Sequence, residues 1–258
     1  MLVRKQRGDT PDGLQRTPDV LAVEEPMEIR LDGHIVTTTM RTPGHDYELA
    51  VGWCHSDGLL AGAPVTGVRY CATGSAMETA FNVVTVDTGG RAPEPTARLT
   101  TATSSCGLCG SRSLSELADR LVPLPASEPI PLEVLTSMPD RVRPHQDLFG
   151  TTGAVHAAAA FDATGEVLAV REDVGRHNAV DKVVGRLLLD RRLPATGLGL
   201  FVSGRASFEL VQKAWAAGFG TLIAVSAPTA LAVETARTAG LHLVGFVRPG
   251  QANVYSPA

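Results

Sequence analysis

The second half of the chain constrains the fold most, because apolar runs of strand length alternate there with helical stretches. From about Gly153, residues 155–161 and 167–170 are apolar runs joined by the turn Asp162-Ala163-Thr164-Gly165. Helix 178–189, strand 198–202, helix 207–217, strand 222–225, helix 231–238 and strand 241–247 follow in order. Strands that are apolar throughout are buried on both faces, and intervening helices supply crossovers between parallel neighbours. The expectation is an α/β fold with a mixed, largely parallel sheet covered by helices.

The first half reads as a smaller β-rich region. Residues 21–31 and 34–40 flank Asp32-Gly33, a strong hairpin signal. Pro43-Gly44-His45-Asp46 opens a helix to about Leu60, and strand-like runs at 65–72 and 79–86 precede a Gly/Pro-rich break at 88–95. A short helix near 132–138 is expected to stop at Pro139. Residues 1–18 are polar with Gly and Pro and read as a disordered tail. The expected division is a tail at 1–18, an α+β region at 19–110 and an α/β core at 111–258.

The formal net charge is -4 over 258 residues, which argues against nucleic acid or an anionic membrane as partner. No apolar h-region follows the charged N-terminus, and no apolar stretch nears the roughly 20 residues of a membrane span. A cytoplasmic protein is expected. Four cysteines are too few for a disulfide framework. Cys54 and Cys71 stand far apart and read as ordinary buried thiols.

The other two cysteines form Cys106-Gly107-Leu108-Cys109-Gly110, after the polar stretch 99–105. In a reducing compartment such a pair points to catalysis or metal binding. A helix is expected just beyond, with Ser113 as N-cap and Glu116 three positions on. Its positive N-terminal end favours thiolate over thiol, so the chemistry read here is thiolate chemistry. Zinc deaminases pair H-x-E with P-C-x-x-C. Here His156 is followed by Ala158 where that Glu would stand, and the CxxC lies upstream. Neither deaminase activity nor a catalytic metal is expected.

Ligands of open α/β sheets gather where strands hand over to helices. Four such places are polar or cationic: Glu172-Asp173-Val174-Gly175-Arg176-His177, Ser203-Gly204-Arg205, Ser226-Ala227-Pro228-Thr229 and Arg248-Pro249-Gly250-Gln251. Free helix N–H groups with added arginines suit a phosphate-bearing ligand. Read singly, Ser203, Ser226 and Thr229 are plain N-caps, and Glu172 and Asp173 are partners for Arg171 or Arg176. Lys182 and Lys213 read as solvated or ion-paired. No GxGxxG or Walker A run is present.

These motifs together resemble the FdhD family of sulfur-carrier accessory proteins needed for formate dehydrogenase activity. The matching segments are 41–50, 104–110, 171–182, 203–213 and 224–232, within a span of about 20–256. Ala154 stands where a second Gly is expected and Ser111 where a Lys is frequent, and neither change removes a reacting group. The resemblance implies a cytidine-deaminase-like core without deaminase chemistry, and a homodimer. It implies a sulfurtransferase-type carrier that takes persulfide sulfur from a cysteine desulfurase. That sulfur passes to the molybdenum bis(molybdopterin guanine dinucleotide) cofactor, activating formate dehydrogenase. By resemblance, Cys106 carries the persulfide with Cys109 as partner, and Phe246-Val247-Arg248-Pro249-Gly250-Gln251 binds the cofactor. A GDP-like nucleotide would take the same site.

Two other readings stay open on sequence. One is a dithiol–disulfide oxidoreductase using Cys106 and Cys109, which would need a thioredoxin-like βαβ context. The other is a non-catalytic nucleotide- or cofactor-binding chaperone.

Overall fold

A computed structural model describes residues 1–6, 14–71, 76–77, 79–95, 101–102, 121–126 and 128–256. Cys106, Cys109 and the helix expected from Ser113 lie outside these residues. Within the first 18 residues, read above as a tail, β1 (Leu2–Gln6) and β2 (Leu14–Pro18) pair antiparallel.

The first lobe is a five-stranded mixed sheet in the order β5-β6-β3-β4-β7. Its strands are β3 (Glu25–Leu31), β4 (His34–Arg41), β5 (Gly67–Tyr70), β6 (Val83–Asp87) and β7 (Thr101–Ala102). Asp32 (φ 47°) and Gly33 (φ 91°) form the two-residue hairpin turn, whose left-handed backbone follows the twist of its strands. Alternation along β3 sends Met27, Ile29 and Leu31 inward against Leu49 and Val51 of helix α1 (Asp46–Ser56).

The second lobe is a six-stranded sheet in the order β13-β12-β11-β10-β8-β9. It comprises β8 (His156–Phe161), β9 (Val167–Asp173), β10 (Gly199–Val202), β11 (Thr221–Ala224), β12 (His242–Arg248) and β13 (Gln251–Ser256). Only β10–β11 and β11–β12 are parallel pairs; β8–β9, β8–β10 and β12–β13 are antiparallel. The sheet is mixed, as expected, but the expectation that it is largely parallel is corrected. Tight turns at 162–165 and 249–250 reverse the chain within β8–β9 and β12–β13, while a helix follows each of β9, β10 and β11. Apolar saturation reports burial on two faces, which antiparallel strands covered by helices share.

Helices α4 (Arg176–Leu189), α5 (Phe208–Ala217) and α6 (Ala230–Ala239) cover one face, where Ala158, Ala160 and Val202 join their core. Helix α2 (Leu132–Val142) covers the other face, against Ala159, Phe161 and Phe201. It runs on through Pro139, where a stop was expected. Met138 and Val142 are fully buried beside that proline, and burying two such side chains offsets the roughly 3 kcal/mol that an interior proline costs. A 3₁₀ turn (Arg143–His145) and α3 (Asp147–Thr152) complete this layer.

Helices α1 and α4 join the lobes at a backbone-to-backbone crossing. A Cβ on Gly52 would lie 1.8 Å from the Asp181 carbonyl oxygen, and one on Gly185 would lie 1.8 Å from that of Glu48.

Candidate functional site

Strand direction gathers the candidate residues on one edge of the second sheet. The parallel strands β10, β11 and β12 all end there. The ladder pairs His156 with Asp173 and Ala158 with Val202, so β8 begins and β9 ends at the same edge. Arg176, His177, Ser203, Gly204, Arg205, Ser226, Thr229 and the segment 246–251 thus share one rim.

Their local roles differ. The Ser203 Oγ accepts from the Ala157 N–H at 2.9 Å, which extends the β8–β10 ladder. The Thr229 Oγ1 caps α6, accepting from the Ala232 N–H at 3.3 Å. The Ser226 N–H donates to the Gly204 carbonyl (3.3 Å), and the Phe246 N–H donates to the Ser226 carbonyl (3.2 Å). These bonds tie three strand ends together. Arg205 is exposed and has no ion-pair partner among the described residues.

The segment 246–251 is the tip of the β12–β13 hairpin rather than a strand-to-helix junction. Arg248 pairs with Gln251 around Pro249-Gly250, with Gly250 at φ 77°. Proline followed by a left-handed glycine is the preferred chemistry of a type II turn. Val247 is buried, whereas Phe246 is held at φ 54° with its ring 38 % exposed. The Arg248 Nη1 reaches to 3.5 Å from the Val225 carbonyl oxygen.

On the α4–α5 side, His177 Nε2 lies 3.1 Å from a Glu209 carboxylate oxygen, which also accepts from the Ser207 hydroxyl at 2.9 Å. The hydrogen bond from His177 holds the Glu209 carboxyl down at about 2. The Arg176 Nε is buried and has no acceptor among the described residues. His156 stands nearby, its ring packed toward Gly204. Burial, then the Arg176 cation, hold its imidazole below the ordinary histidine range. Beside this rim, a cleft of about 610 Å³ is lined by Asp140, Arg143, Phe149, His156, Ser203 and Val225. The Arg143 guanidinium lies 4.6 Å from the Phe149 ring centre at its wall.

Other motif residues weld the lobes. The Lys182 Nζ lies 2.7 Å from the Asp173 carboxylate and donates to the Thr42 carbonyl at 2.9 Å. Asp173 also accepts from the N–H groups of Thr42 (3.1 Å) and Gly175 (2.9 Å) and from the Asn178 amide (3.1 Å). Its partner is therefore Lys182, not Arg171 or Arg176. Glu172 accepts from the backbone N–H groups of Leu148 (2.9 Å) and Phe149 (2.8 Å) at the start of α3. Arg171 pairs with Glu48, its Nη2 donating at 2.7 Å. Arg41, 1 % exposed, grips Asp46 through Nε (3.2 Å) and Nη2 (3.0 Å). Lys213 reaches both Asp181 oxygens at 2.8 Å.

Sequence reasoning missed the depth of Asp173 and Lys182. The available signal was charge set within apolar neighbours, as in Ala179-Val180-Asp181-Lys182-Val183-Val184.

Cys54 is buried, which pushes its thiol well up, whereas Cys71, expected to be buried, is half-buried at φ 74°. Ala158 is fully buried at the position where a deaminase would carry its acid. Among the described residues, no three His, Cys, Asp or Glu are placed to hold a metal. None of the described helices is long and apolar enough to cross a membrane.

Fold and rim define a two-lobed mixed α/β protein whose polar strand ends converge on one edge. Residues 22–258 match the FdhD/NarQ family, and the chain belongs to that family. It is similar to the "Sulfur carrier protein FdhD" of Nocardia farcinica, at 49 % identity over 253 residues, covering 96 % of this chain and 90 % of the relative. The protein of the same name from Streptomyces coelicolor is 49 % identical over 257 residues, covering 96 % and 91 %. That from Mycobacterium tuberculosis is 44 % identical, covering 99 % and 96 %. The fold is shared with a solved structure from Desulfotalea psychrophila, described as a candidate formate dehydrogenase accessory protein. The TM-score is 0.75 at 24 % identity, covering 99 % of this chain and 94 % of that one.

Proposed function

We propose that this chain is a sulfur carrier serving formate dehydrogenase. It takes sulfur from a cysteine desulfurase as a persulfide on Cys106 and passes it to the molybdenum of bis(molybdopterin guanine dinucleotide), its bound substrate. The observation that carries the reading is the near-full-length likeness to sulfur carrier proteins, joined to the Cys106-Gly107-Leu108-Cys109-Gly110 motif. In the loading step the Cys106 thiolate attacks the terminal sulfur of the donor's persulfide. The donor's S–S bond breaks, its cysteine leaves as thiolate, and no net oxidation occurs. Release balances when the Cys109 thiolate, three positions away, attacks the Cys106 Sγ: a Cys106–Cys109 disulfide forms, the bond to the outer sulfur breaks, and that sulfur leaves at the sulfide level with the two electrons supplied by the thiol pair.

The rim supports the ligand half of the reading. Arg176, Arg205 and Arg248 supply positive charge, the starts of α4, α5 and α6 supply backbone N–H groups, and all share an edge with the hairpin tip 246–251. We read the six-stranded sheet as a cytidine-deaminase-like core that has lost deaminase chemistry, in keeping with Ala158. The working form in this reading is a cytoplasmic homodimer.

The test is to incubate the protein with a cysteine desulfurase and cysteine and read the mass of the CxxC peptide. One added sulfur is expected in wild type and none in Cys106→Ala. Sulfur acceptance by Cys106→Ala would overturn the assignment.

A further inference from the structure

His156 occupies a place that neither the fold nor the buried ion pairs explain. It opens β8 at the rim, lines the 610 Å³ cleft together with Ser203, and is only half-buried. Its ring makes no hydrogen bond to a described residue. A Cβ at position 204 would meet its Cε1 and Nδ1 at 3.4 Å, so Gly204 leaves that edge of the ring uncrowded.

The charges around it are unbalanced. From α4, Arg176 and His177 face it, and their charges disfavour the imidazolium. Arg176 keeps a buried Nε with no acceptor among the described residues. From β9 comes Asp173, whose oxygens already serve Lys182, Gly175, Asn178 and Thr42. From α5 comes Glu209, held by His177 and Ser207. The far wall of the cleft brings Asp140 and Arg143. Next to His156, the Arg176 and His177 side chains face only the Asp173 carboxylate, whose oxygens are already taken. An anion would complete the site.

We infer that His156, with the Arg176 Nε, binds a phosphate oxygen of the nucleotide ligand and takes up a proton as it does so. This rests on the proposal that a guanine-nucleotide-bearing cofactor occupies the rim. Burial and the Arg176 cation hold the free imidazole below the ordinary histidine range and disfavour its charged form. A bound phosphate favours the charged form, so affinity rises as pH falls through the ordinary histidine range. With one proton taken up, the limiting change is about tenfold in affinity per pH unit.

The probe is a guanosine diphosphate sugar, whose phosphates are both esterified and do not titrate near neutrality. Calorimetry between pH 5.5 and 8, in buffers of different ionisation enthalpy, counts the protons exchanged on binding. Wild type is expected to take up protons on binding as the pH falls through the ordinary histidine range, and His156→Gln none. A titration of the histidine ring signals of the unmodified protein, free and bound, gives a readout independent of the variant's folding. One of the seven histidines should titrate higher in the complex. Binding without proton uptake, or with equal uptake in His156→Gln, overturns the role of His156 and leaves the proposed function standing. Failure of wild type to bind either this probe or GDP overturns the ligand reading, and the inference with it.

Discussion

Replacing Gly185 by alanine tests the crossing that joins the two lobes. In an exposed helix this change would stabilise by about 1 kcal/mol, since alanine is the better helix former. Here the new Cβ would sit 1.8 Å from the Glu48 carbonyl oxygen and 2.6 Å from its carbon, about 1.6 Å inside the 3.4 Å where ordinary contact begins. Both colliding groups are backbone, so no side chain can swing away. The helices must part, and parting them strains the Glu48–Arg171 pair and the Ser56–Asp181 hydrogen bond. Overpacking costs about 1–3 kcal/mol and a disturbed charged hydrogen bond about 1.5–3 kcal/mol, so the expected loss is about 3–5 kcal/mol. The assay is urea unfolding followed by Trp53 in α1 and Trp215 in α5. Gly150→Ala is the control, because nothing lies within 4 Å of a Cβ in that short helix. If Gly185→Ala unfolds within about 0.5 kcal/mol of wild type, the close crossing is refuted.

Three further outcomes follow from the same contacts. Lys182→Met leaves the Asp173 charge buried without its cation and should cost about 3–5 kcal/mol in urea unfolding, partly regained in Lys182→Met/Asp173→Asn. Glu209 has a lowered carboxyl in the folded state, so its stabilising contribution is complete above its ordinary 4.5 and is lost as pH falls toward about 2. Acid unfolding of Glu209→Gln should lack this component, while wild type shows it. Arg248→Ala should weaken GDP binding about tenfold or more in calorimetry, the worth of one charge-assisted hydrogen bond to phosphate.

The local features of this fold were legible because their causes are local. Asp32-Gly33 specifies a turn whatever surrounds it, as do Asp162 to Gly165, and the periodic helices begin and end within a few residues of their sequence signals. Strand direction was not legible, because an apolar run records burial and not polarity. Strand β13 was missed for the opposite reason: as an edge strand it leaves Gln251, Asn253 and Val254 exposed and has no apolar run. Of the rim, the strand-end clusters could be read singly, since each is a contiguous motif. What could not be read was which motif residues face a ligand and which face each other. Asp173 looks like a strand-end ligand group, yet its partners Thr42 and Lys182 come from two different elements. His156 stands out in the sequence only through the deaminase comparison, whereas the ladder sets it opposite Asp173 at the rim. The Gly52–Gly185 crossing left no local trace, because neither glycine has a turn to make.

If sulfur travels through Cys106 to the cofactor of formate dehydrogenase, sulfur-35 can be followed along that route through one turnover. Protein loaded by a desulfurase from labelled cysteine is freed of donor and mixed with formate dehydrogenase whose cofactor lacks its sulfur ligand. Label is expected to leave the carrier, appear with the extracted cofactor and restore formate oxidation in proportion, with none of the three in Cys106→Ala. Label that stays on the carrier while the enzyme becomes active, or activation by Cys106→Ala, would contradict that route.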